Sequence, residues 1–387
     1  MSDILYHCTN PENHKPTYSE YDNVDYKLSF LGRSLVGGSV RLIGDVLVTE
    51  NLTLNPDGEP PANLNRVMYD GFLGAHTFID TLTTTFNNSG MVENIRFYPR
   101  YVSAKAKASL AKEDLFNSMY VCEGRTPSDQ HADLMLKGYA LNSASSTIDP
   151  DTVNGLSRKM DFAVKLDNCL NNFVGDNILP YSKTGDIIIS MTVPRSVSVL
   201  YGGDDIGITQ ALQFSNLRLV YSTVADDGKH NAKHTMRIKT DLKQTIASTN
   251  ATIATKAPIV ADSMFLTFIK QADENVALVN GMENQRLPLV ARVEFAWNDS
   301  LSQQYRYELD NEEEILSNYI KAINASMVAE NNAGLNVLAS NDGYGMGLSF
   351  GSFVDLSQSK ISIRIESAVS NTIPYTAYLF FSGITTL

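Results

Sequence analysis

A G-x-S-x-G pattern, Gly347-Leu348-Ser349-Phe350-Gly351, could hold a nucleophilic serine. In α/β-hydrolases such a serine lies on a sharp strand-to-helix turn, and its acid and histidine partners follow later in the chain. The last histidine of this chain is His234, well before Ser349, and the residues after Gly351 are typical of a loop and a strand. The sequence therefore predicts a glycine-flanked strand here and no catalytic residue.

A second glycine-rich segment, Gly32 to Ser39, has roughly the spacing of a phosphate-binding loop. That loop needs a lysine where this chain has Gly38, and it needs a helix after it where a strand is expected here. We expect a turn between strands.

Two clusters could bind a metal ion. His230 and His234 are four residues apart and would share a helix face, but their Asp-Asp-Gly and Lys neighbours indicate an exposed loop. Glu312, Glu313 and Glu314 are better explained as the start of a helix, where carboxylates meet the positive end of the helix dipole. We predict no metal and no cofactor.

One stretch is rich in basic and aromatic residues: Arg96, Phe97, Tyr98, Arg100, Tyr101, Lys105, Lys107 and Lys112. It could contact nucleic acid or anionic lipid, but a strand that runs into a helix with a solvated lysine face is the favoured interpretation. The whole chain has 31 Lys and Arg against 43 Asp and Glu, a net charge of −12. Because phosphate binding needs clustered cations, we expect no direct contact with nucleic acid.

The elements that would position these residues are mostly strands, since apolar and polar residues alternate with period two in many places. The clearest runs lie at 40–49, 162–167, 217–221, 293–297 and 361–366. Two segments have helical spacing instead. One is predicted to begin with Ser103 as its N-cap, and the other with Asn311 and Glu314 as a capping box.

Each predicted helix is followed by three strand-like runs, so the order helix, strand, strand, strand occurs twice. The runs after the first helix are 162–166, 187–193 and 217–221, and those after the second are 346–350, 361–365 and 375–381. A length of 387 residues favours two domains. We expect two copies of one β-sandwich, separated by a charged loop between Val224 and Asp241.

The C-terminal strands resemble those of a known family. Gly345 to Ser357, Lys360 to Ser367 and Pro374 to Phe381 are similar, in order and spacing, to the last strands of double jelly-roll major capsid proteins of the lineage that includes tectiviruses and adenoviruses. Phe162 to Leu170 and Gly185 to Val193 resemble the corresponding part of the first jelly roll.

Pattern and resemblance together predict an all-β fold of two tandem eight-stranded jelly-roll β-sandwiches with a short helix in each. The predicted units are an N-terminal arm, 1–25, a first jelly roll, 26–232, and a second jelly roll, 233–387.

The resemblance implies a structural, non-enzymatic protein: a homotrimeric, pseudo-hexagonal capsomer that tiles an icosahedral shell over an internal membrane. Its implied partners are further copies of itself, other capsid proteins (penton, cement or spike) and membrane lipid. We expect synthesis in the host cytoplasm and localisation in the virion. Cys8, Cys122 and Cys169 are expected to be free thiols, since three widely spaced cysteines cannot all pair within the chain.

A carbohydrate-binding or carbohydrate-cleaving β-sandwich protein is the alternative. It would need a groove with aromatic side chains and, for cleavage, two close carboxylates, which a sequence does not reveal. We expect no signal peptide, because Met1 to Pro16 has no basic region followed by an apolar one, and this expectation and the single tryptophan, Trp297, count against the alternative.

Overall fold

The protein is described from a computed structural model. The described residues are 3–50, 68–70, 73–109, 123, 139–140, 156–171, 178–201, 211–228, 234–246, 250–256, 259–276, 279–282, 287, 290–297, 304–308, 312–324, 344–367 and 373–387.

Strands dominate the described residues, and the two longer helices each lie between the fifth and sixth jelly-roll strands of a sandwich. The first half contains β1 (Leu5–Thr9), β2 (Asn23–Leu28), β3 (Arg33–Val36), β4 (Arg41–Glu50), β5 (Met68–Tyr69), β6 (Thr81–Phe86), β7 (Met91–Arg96), α1 (Tyr98–Ser109), β8 (Tyr139–Ala140), β9 (Leu156–Lys165), β10 (Ile178–Pro180), β11 (Ile187–Thr192), β12 (Leu200–Tyr201) and β13 (Ala211–Ala225). The second half contains β14 (His234–Ile246), β15 (Asn250–Lys256), β16 (Val260–Lys270), β17 (Val290–Trp297), β18 (Gln304–Glu308), α2 (Glu312–Asn324), β19 (Met346–Asp355), β20 (Lys360–Ser367) and β21 (Tyr375–Thr386). Single helical turns cover Gly74–Phe78, Cys169–Asn171, Tyr181–Thr184, Ser196–Val199 and Gln271–Asp273.

The second half is a complete jelly roll. Its eight strands, lettered B to I in chain order, form one sheet in the order β14-β21-β16-β19 (B-I-D-G) and another in the order β15-β20-β17-β18 (C-H-E-F). Within each of these two sheets neighbouring strands run antiparallel.

The first half repeats this order. Its C-H-E-F sheet is β2-β11-β6-β7. In its B-I-D-G sheet, β1 pairs with one side of β13, and β3 and β4 pair one after the other with its opposite side, so that β3 and β4 together take the place of strand D. β9 and β10 lie beyond them as strand G. The prediction of two tandem jelly rolls with a helix in each is confirmed.

The connections between strands differ in length at the two ends of a sandwich. Because sheet neighbours are antiparallel, B–C, D–E, F–G and H–I connections all leave one end, and C–D, E–F and G–H connections leave the other. In the first sandwich the B–C, D–E, F–G and H–I connections are residues 10–22, 51–80, 97–155 and 193–210. At the other end, the C–D and E–F turns are only residues 29–32 and 87–90. The first end is called the loop end below.

Three local predictions need correction or completion. Helix α1 begins at Tyr98, not at Ser103, which is fully buried in its second turn; Pro99, a residue favoured in the first turn of a helix, marks the true start. The predicted charged loop up to Asp241 is too long, because β14 begins at His234 and pairs with β21 along its length. Part of the predicted N-terminal arm is β1, which pairs with β13.

The predicted alternation is confirmed in several strands. Leu217, Leu219 and Tyr221 are buried while Arg218 is exposed, and Ile361, Ile363 and Ile365 are buried while Arg364 is exposed. The predicted domain boundary between residues 232 and 233 lies outside the described residues.

Candidate functional site: the junction between the sandwiches

The two sandwiches are joined edge to edge. Strand β7, the F strand of the first sandwich, lies beside β14, the B strand of the second, and pairs with it in parallel at Asn94 and Lys239. The C-H-E-F sheet of the first sandwich and the B-I-D-G sheet of the second thereby become one eight-stranded sheet. We call this contact the F–B junction.

A buried carboxylate links the two strands of the F–B junction, whose backbone ladder consists of the single pair Asn94 and Lys239. Glu93 on β7 accepts hydrogen bonds from the backbone N–H of Ile238 on β14 (2.9 Å) and of Cys169 (2.8 Å). Glu93 is fully buried, and burial raises the pKa of its carboxyl to about 7 although both hydrogen bonds oppose the shift. Two residues after Ile238, the Thr240 hydroxyl donates to the carbonyl oxygen of Arg96 (2.7 Å).

Helix α1 extends the contact from the first sandwich onto the second. Tyr101 lies 6.0 Å from the ring of Phe380 and 6.4 Å from that of Phe265, both on the B-I-D-G sheet of the second sandwich. Arg100 donates to the carbonyl oxygen of Gly281 (2.6 Å) and lies 4.4 Å above the ring of Tyr378. This cation–π contact is desolvated, since Arg100 is only 4% exposed.

A cleft of about 230 Å³ opens beside α1 and is lined from both sandwiches. Tyr21, Phe97 and Asn275, which line it, have φ angles of 65°, 57° and 59°, in the left-handed region that non-glycine residues rarely adopt. At Phe97 this conformation turns the chain from β7 into α1, and the Phe97 ring packs on Tyr378 at 4.8 Å.

The charged groups of the cleft are engaged with one another. Glu274 is ion-paired with Lys243 and accepts hydrogen bonds from Tyr378 (2.7 Å) and Thr376 (2.8 Å). Burial alone would raise the pKa of Glu274, but these hydrogen bonds outweigh it and hold the pKa below its usual value. Burial raises the pKa of Asp80, also in the cleft, against smaller opposing effects of Thr81 and Lys243.

The predicted strand that runs into a helix is present as β7 and α1. Arg96 is exposed at the end of β7, but Arg100 and Lys105 contact other protein groups, so the predicted solvated lysine face is wrong at Lys105. Arg100 is buried as above, and Lys105 forms an ion pair with Asp167 at 2.7 Å. The neighbouring Tyr98 is fully buried and its hydroxyl accepts a hydrogen bond from the N–H of Asp167. The burial of Lys107 and the position of Lys112 lie outside the described residues.

The glycines of the G-x-S-x-G pattern have structural roles, Gly347 in packing and Gly351 in backbone conformation. Gly347 and Ser349 lie within β19, as the sequence predicts, with no turn into a helix. A Cβ atom on Gly347 would come within 2.6 Å of the Ala322 Cβ on α2, so glycine lets the helix approach the sheet. Gly351 has a φ of 70°.

The remaining candidates are structural too. Gly32 and Gly38 have φ angles of 73° and 74° and flank β3, which fits the predicted turns between strands. His234 begins a strand, so it cannot share a helix with His230, which lies outside the described residues. Glu312 to Glu314 begin α2, as predicted.

Among the described residues, no group of three or more His, Cys, Asp or Glu side chains could hold a metal ion. The described helices also include none that is both long and apolar enough to cross a bilayer.

The fold is similar to that of viral capsid proteins of known structure. The chain aligns over its full length with the Faustovirus major capsid protein, covering 90% of that chain at 10% identity and a TM-score of 0.58. It aligns over 97% of its length with the mavirus major capsid protein (86% of that chain, 10% identity, TM-score 0.54), and over its full length with a chain of the PBCV-1 virus capsid (95%, 10%, 0.55). No protein-family model matches the sequence, and no curated protein matches it.

At this level of identity the similarity concerns the fold. The chain has the double jelly-roll fold of these capsid proteins.

Proposed function

We propose that the protein is a viral major capsid protein whose homotrimer forms a pseudo-hexagonal capsomer of an icosahedral shell. The observation that carries the proposal is the internal repetition: two sandwiches with the same strand order lie side by side in one chain. Three such chains provide six similar units, so a trimer can occupy a six-coordinated position in a lattice. The fold shared with capsid proteins supports the same role.

The protein's role in this proposal is structural and not catalytic. A carbohydrate-cleaving enzyme would need two available carboxylates, and the cleft beside α1 does contain Asp80 and Glu274. Both oxygens of Glu274 are already occupied by Lys243, Tyr378 and Thr376. This cleft therefore lacks a free second carboxylate, which makes the carbohydrate alternative the weaker proposal.

We assign the loop end of the sandwiches to the outer face of the shell. Its connections are long and able to vary, so they suit contacts with other capsid proteins such as penton, cement or spike. The opposite end has short C–D and E–F turns, 29–32 and 87–90, and we assign it to the side that faces an internal membrane. The protein would be made in the host cytoplasm and become part of the virion.

The oligomeric state tests the capsomer proposal. Purified protein should have a mass near three times 42.6 kDa by light scattering and should appear as hexagonal plates or particles in negative-stain microscopy. A stable monomer at micromolar concentration, without larger assemblies, would contradict the proposal.

An epitope tag tests the orientation. Inserted in the F–G connection at residue 130, the tag should bind antibody on intact particles; inserted between Leu31 and Gly32, it should bind only after the particles are dissociated. The opposite pattern would reverse the assignment of the two ends.

A further inference from the structure

Each sandwich has one F edge and one B edge, and the F–B junction covers only two of these four edges. Within one chain it covers the F edge of the first sandwich (β7) and the B edge of the second (β14). Because both sandwiches have the same strand order, the chain has a second pair of such edges: the B edge of the first sandwich, β1, and the F edge of the second, β18.

Both of these edges are open in the described part of the protein. Strand β1 pairs only with β13, on one side, and β18 pairs only with β17. An open strand edge presents unpaired N–H and C=O groups, and proteins normally cover or blunt it.

Strand β1 is not blunted by charge. His7 is held inward by a hydrogen bond to the Thr223 hydroxyl (2.7 Å) and by stacking on Tyr221. The residues before it are apolar and exposed: Ile4, just before β1, and Leu5 and Tyr6 within it are 52%, 46% and 84% exposed. Three consecutive exposed apolar residues on an open edge are typical of a surface that is covered in the assembled state.

We propose that β1 is covered by β18 of a second copy of this chain, in a parallel contact that repeats the F–B junction across the subunit boundary. The internal junction shows that an F edge and a B edge of these sandwiches fit each other. The external contact is head to tail, and such contacts close into a ring when their rotation permits. The inference rests on the proposed trimer for its closure: six junctions would form, three within chains and three between them.

Disulfide cross-linking tests the contact, because Cys8 lies exposed on β1. Cys122 is first replaced by serine to remove a competing thiol, while the buried Cys169 is retained. Cysteines are then introduced singly at consecutive positions of β18, as Gln304→Cys, Tyr305→Cys, Arg306→Cys and Tyr307→Cys, so that both side-chain orientations are sampled. The matched controls are Asn250→Cys and Thr252→Cys, which are exposed on β15, the opposite edge of the same sheet.

Mild oxidation of the trimer should give covalent dimers and trimers, and nothing larger, from at least one β18 variant. The β15 variants should stay monomeric on a non-reducing gel, as should any β18 variant that also carries Cys8→Ser. A trimer that cross-links from β15, or from no β18 position, would overturn the inference and leave the proposed function standing. Absence of a trimer in the parent protein would overturn both.

A second pair of variants does not depend on disulfide geometry. Tyr6→Asp places a charge on an exposed side chain, so the protomer should fold while the trimer dissociates at a concentration at least tenfold higher than the parent. Phe353→Asp is the control, since Phe353 is 46% exposed on β19, an edge strand outside the proposed contact. Equal weakening by both variants, or by neither, would contradict the role of β1.

Discussion

The last strands of the two sandwiches occupy the same place in the jelly roll but differ in burial. In β13, buried residues alternate with exposed or half-buried ones over most of the strand, as at Leu217, Arg218 and Leu219. In β21, every residue from Tyr375 to Gly383 is buried. One strand has a single interior face, and the other has two.

The second interior face of β21 is made by helices. Phe380 and Phe265 stack at 5.3 Å on the outside of the B-I-D-G sheet of the second sandwich. Tyr101 from α1 and Tyr319 from α2 both contact this pair. Because α1 belongs to the first sandwich by sequence, the second sandwich completes its packing with a piece of the first. The two jelly rolls therefore have the same topology, but the second one needs a helix of the first to complete its packing.

The inner faces are where the two sandwiches should behave alike, and there the largest effects are expected. Ile363 on β20 and Ile189 on β11 are both fully buried on the H strand of their sandwich. Ile363→Asp and Ile189→Asp should each prevent folding, since an unpaired charge would enter the core. Soluble expression and circular dichroism measure the effect.

Neighbouring positions on the same two strands provide the controls. Arg364→Asp and Ile188→Asp alter exposed residues and should leave soluble protein. If either core variant folded normally, the assigned side of its strand would be wrong.

Substitutions on the outer faces of β21 and β13 should differ in their effect on the unfolding free energy, and these effects should be smaller than those of the core substitutions. Phe380→Ala removes a fully buried ring from the helix-covered face and should cost about 3–5 kcal/mol of unfolding free energy. Arg218→Ala, on the exposed face of β13, should change it by less than about 0.5 kcal/mol. Urea unfolding midpoints compare the two, and similar losses would show that the outer face of β13 is also covered.

Sequence patterns could predict β13 better than the surroundings of β21. Alternation at 217–221 identifies one buried face directly, whereas the apolar run in β21 indicates a strand with two buried faces without saying what covers the second. The repeated order of a helix and three strands was predictable, because it depends on local periodicity in each segment.

The site could not be predicted in the same way. Glu93 looks like an ordinary polar residue between Val92 and Asn94, and its hydrogen-bond partners, Cys169 and Ile238 on β14, are distant in sequence. Arg100 and Lys105 look like part of a solvated basic face, because their partners Gly281, Tyr378 and Asp167 are distant in sequence. The start of α1 did have a local signal, Pro99, which is favoured in the first turn of a helix. Ser103 was predicted as the N-cap instead, because serine is a preferred residue type at that position.

The F–B junction should make stability depend on pH through Glu93. Its pKa is about 7 in the folded protein against an ordinary value of 4.5, because burial, and to a lesser extent repulsion by Asp167, favour the protonated form. Between these values the native state keeps a proton that the unfolded chain has lost. Stability should therefore be full below about pH 4.5 and fall by about 3 kcal/mol as the pH rises through 7.

Unfolding midpoints between pH 5 and 8 measure this dependence. Glu93→Gln should flatten the slope, whatever its effect on stability at one pH. Thr240→Val is the control, because it removes another hydrogen bond of the same junction without removing a titrating group, and so should lower the midpoint while keeping the slope. An unchanged slope in Glu93→Gln would show that other groups carry the pH dependence.

The two described cysteines should show the smallest effects and the sharpest contrast in accessibility. Cys8 lies exposed on β1 and should be alkylated within minutes in the native protomer, whereas Cys169, buried against Glu93, should react only after unfolding. Cys8→Ser should change the unfolding free energy by less than about 0.5 kcal/mol, as expected for a surface substitution. Mass spectrometry of alkylated peptides distinguishes the sites, and rapid native labelling of Cys169 would mean that the F–B junction opens far more readily than its packing indicates.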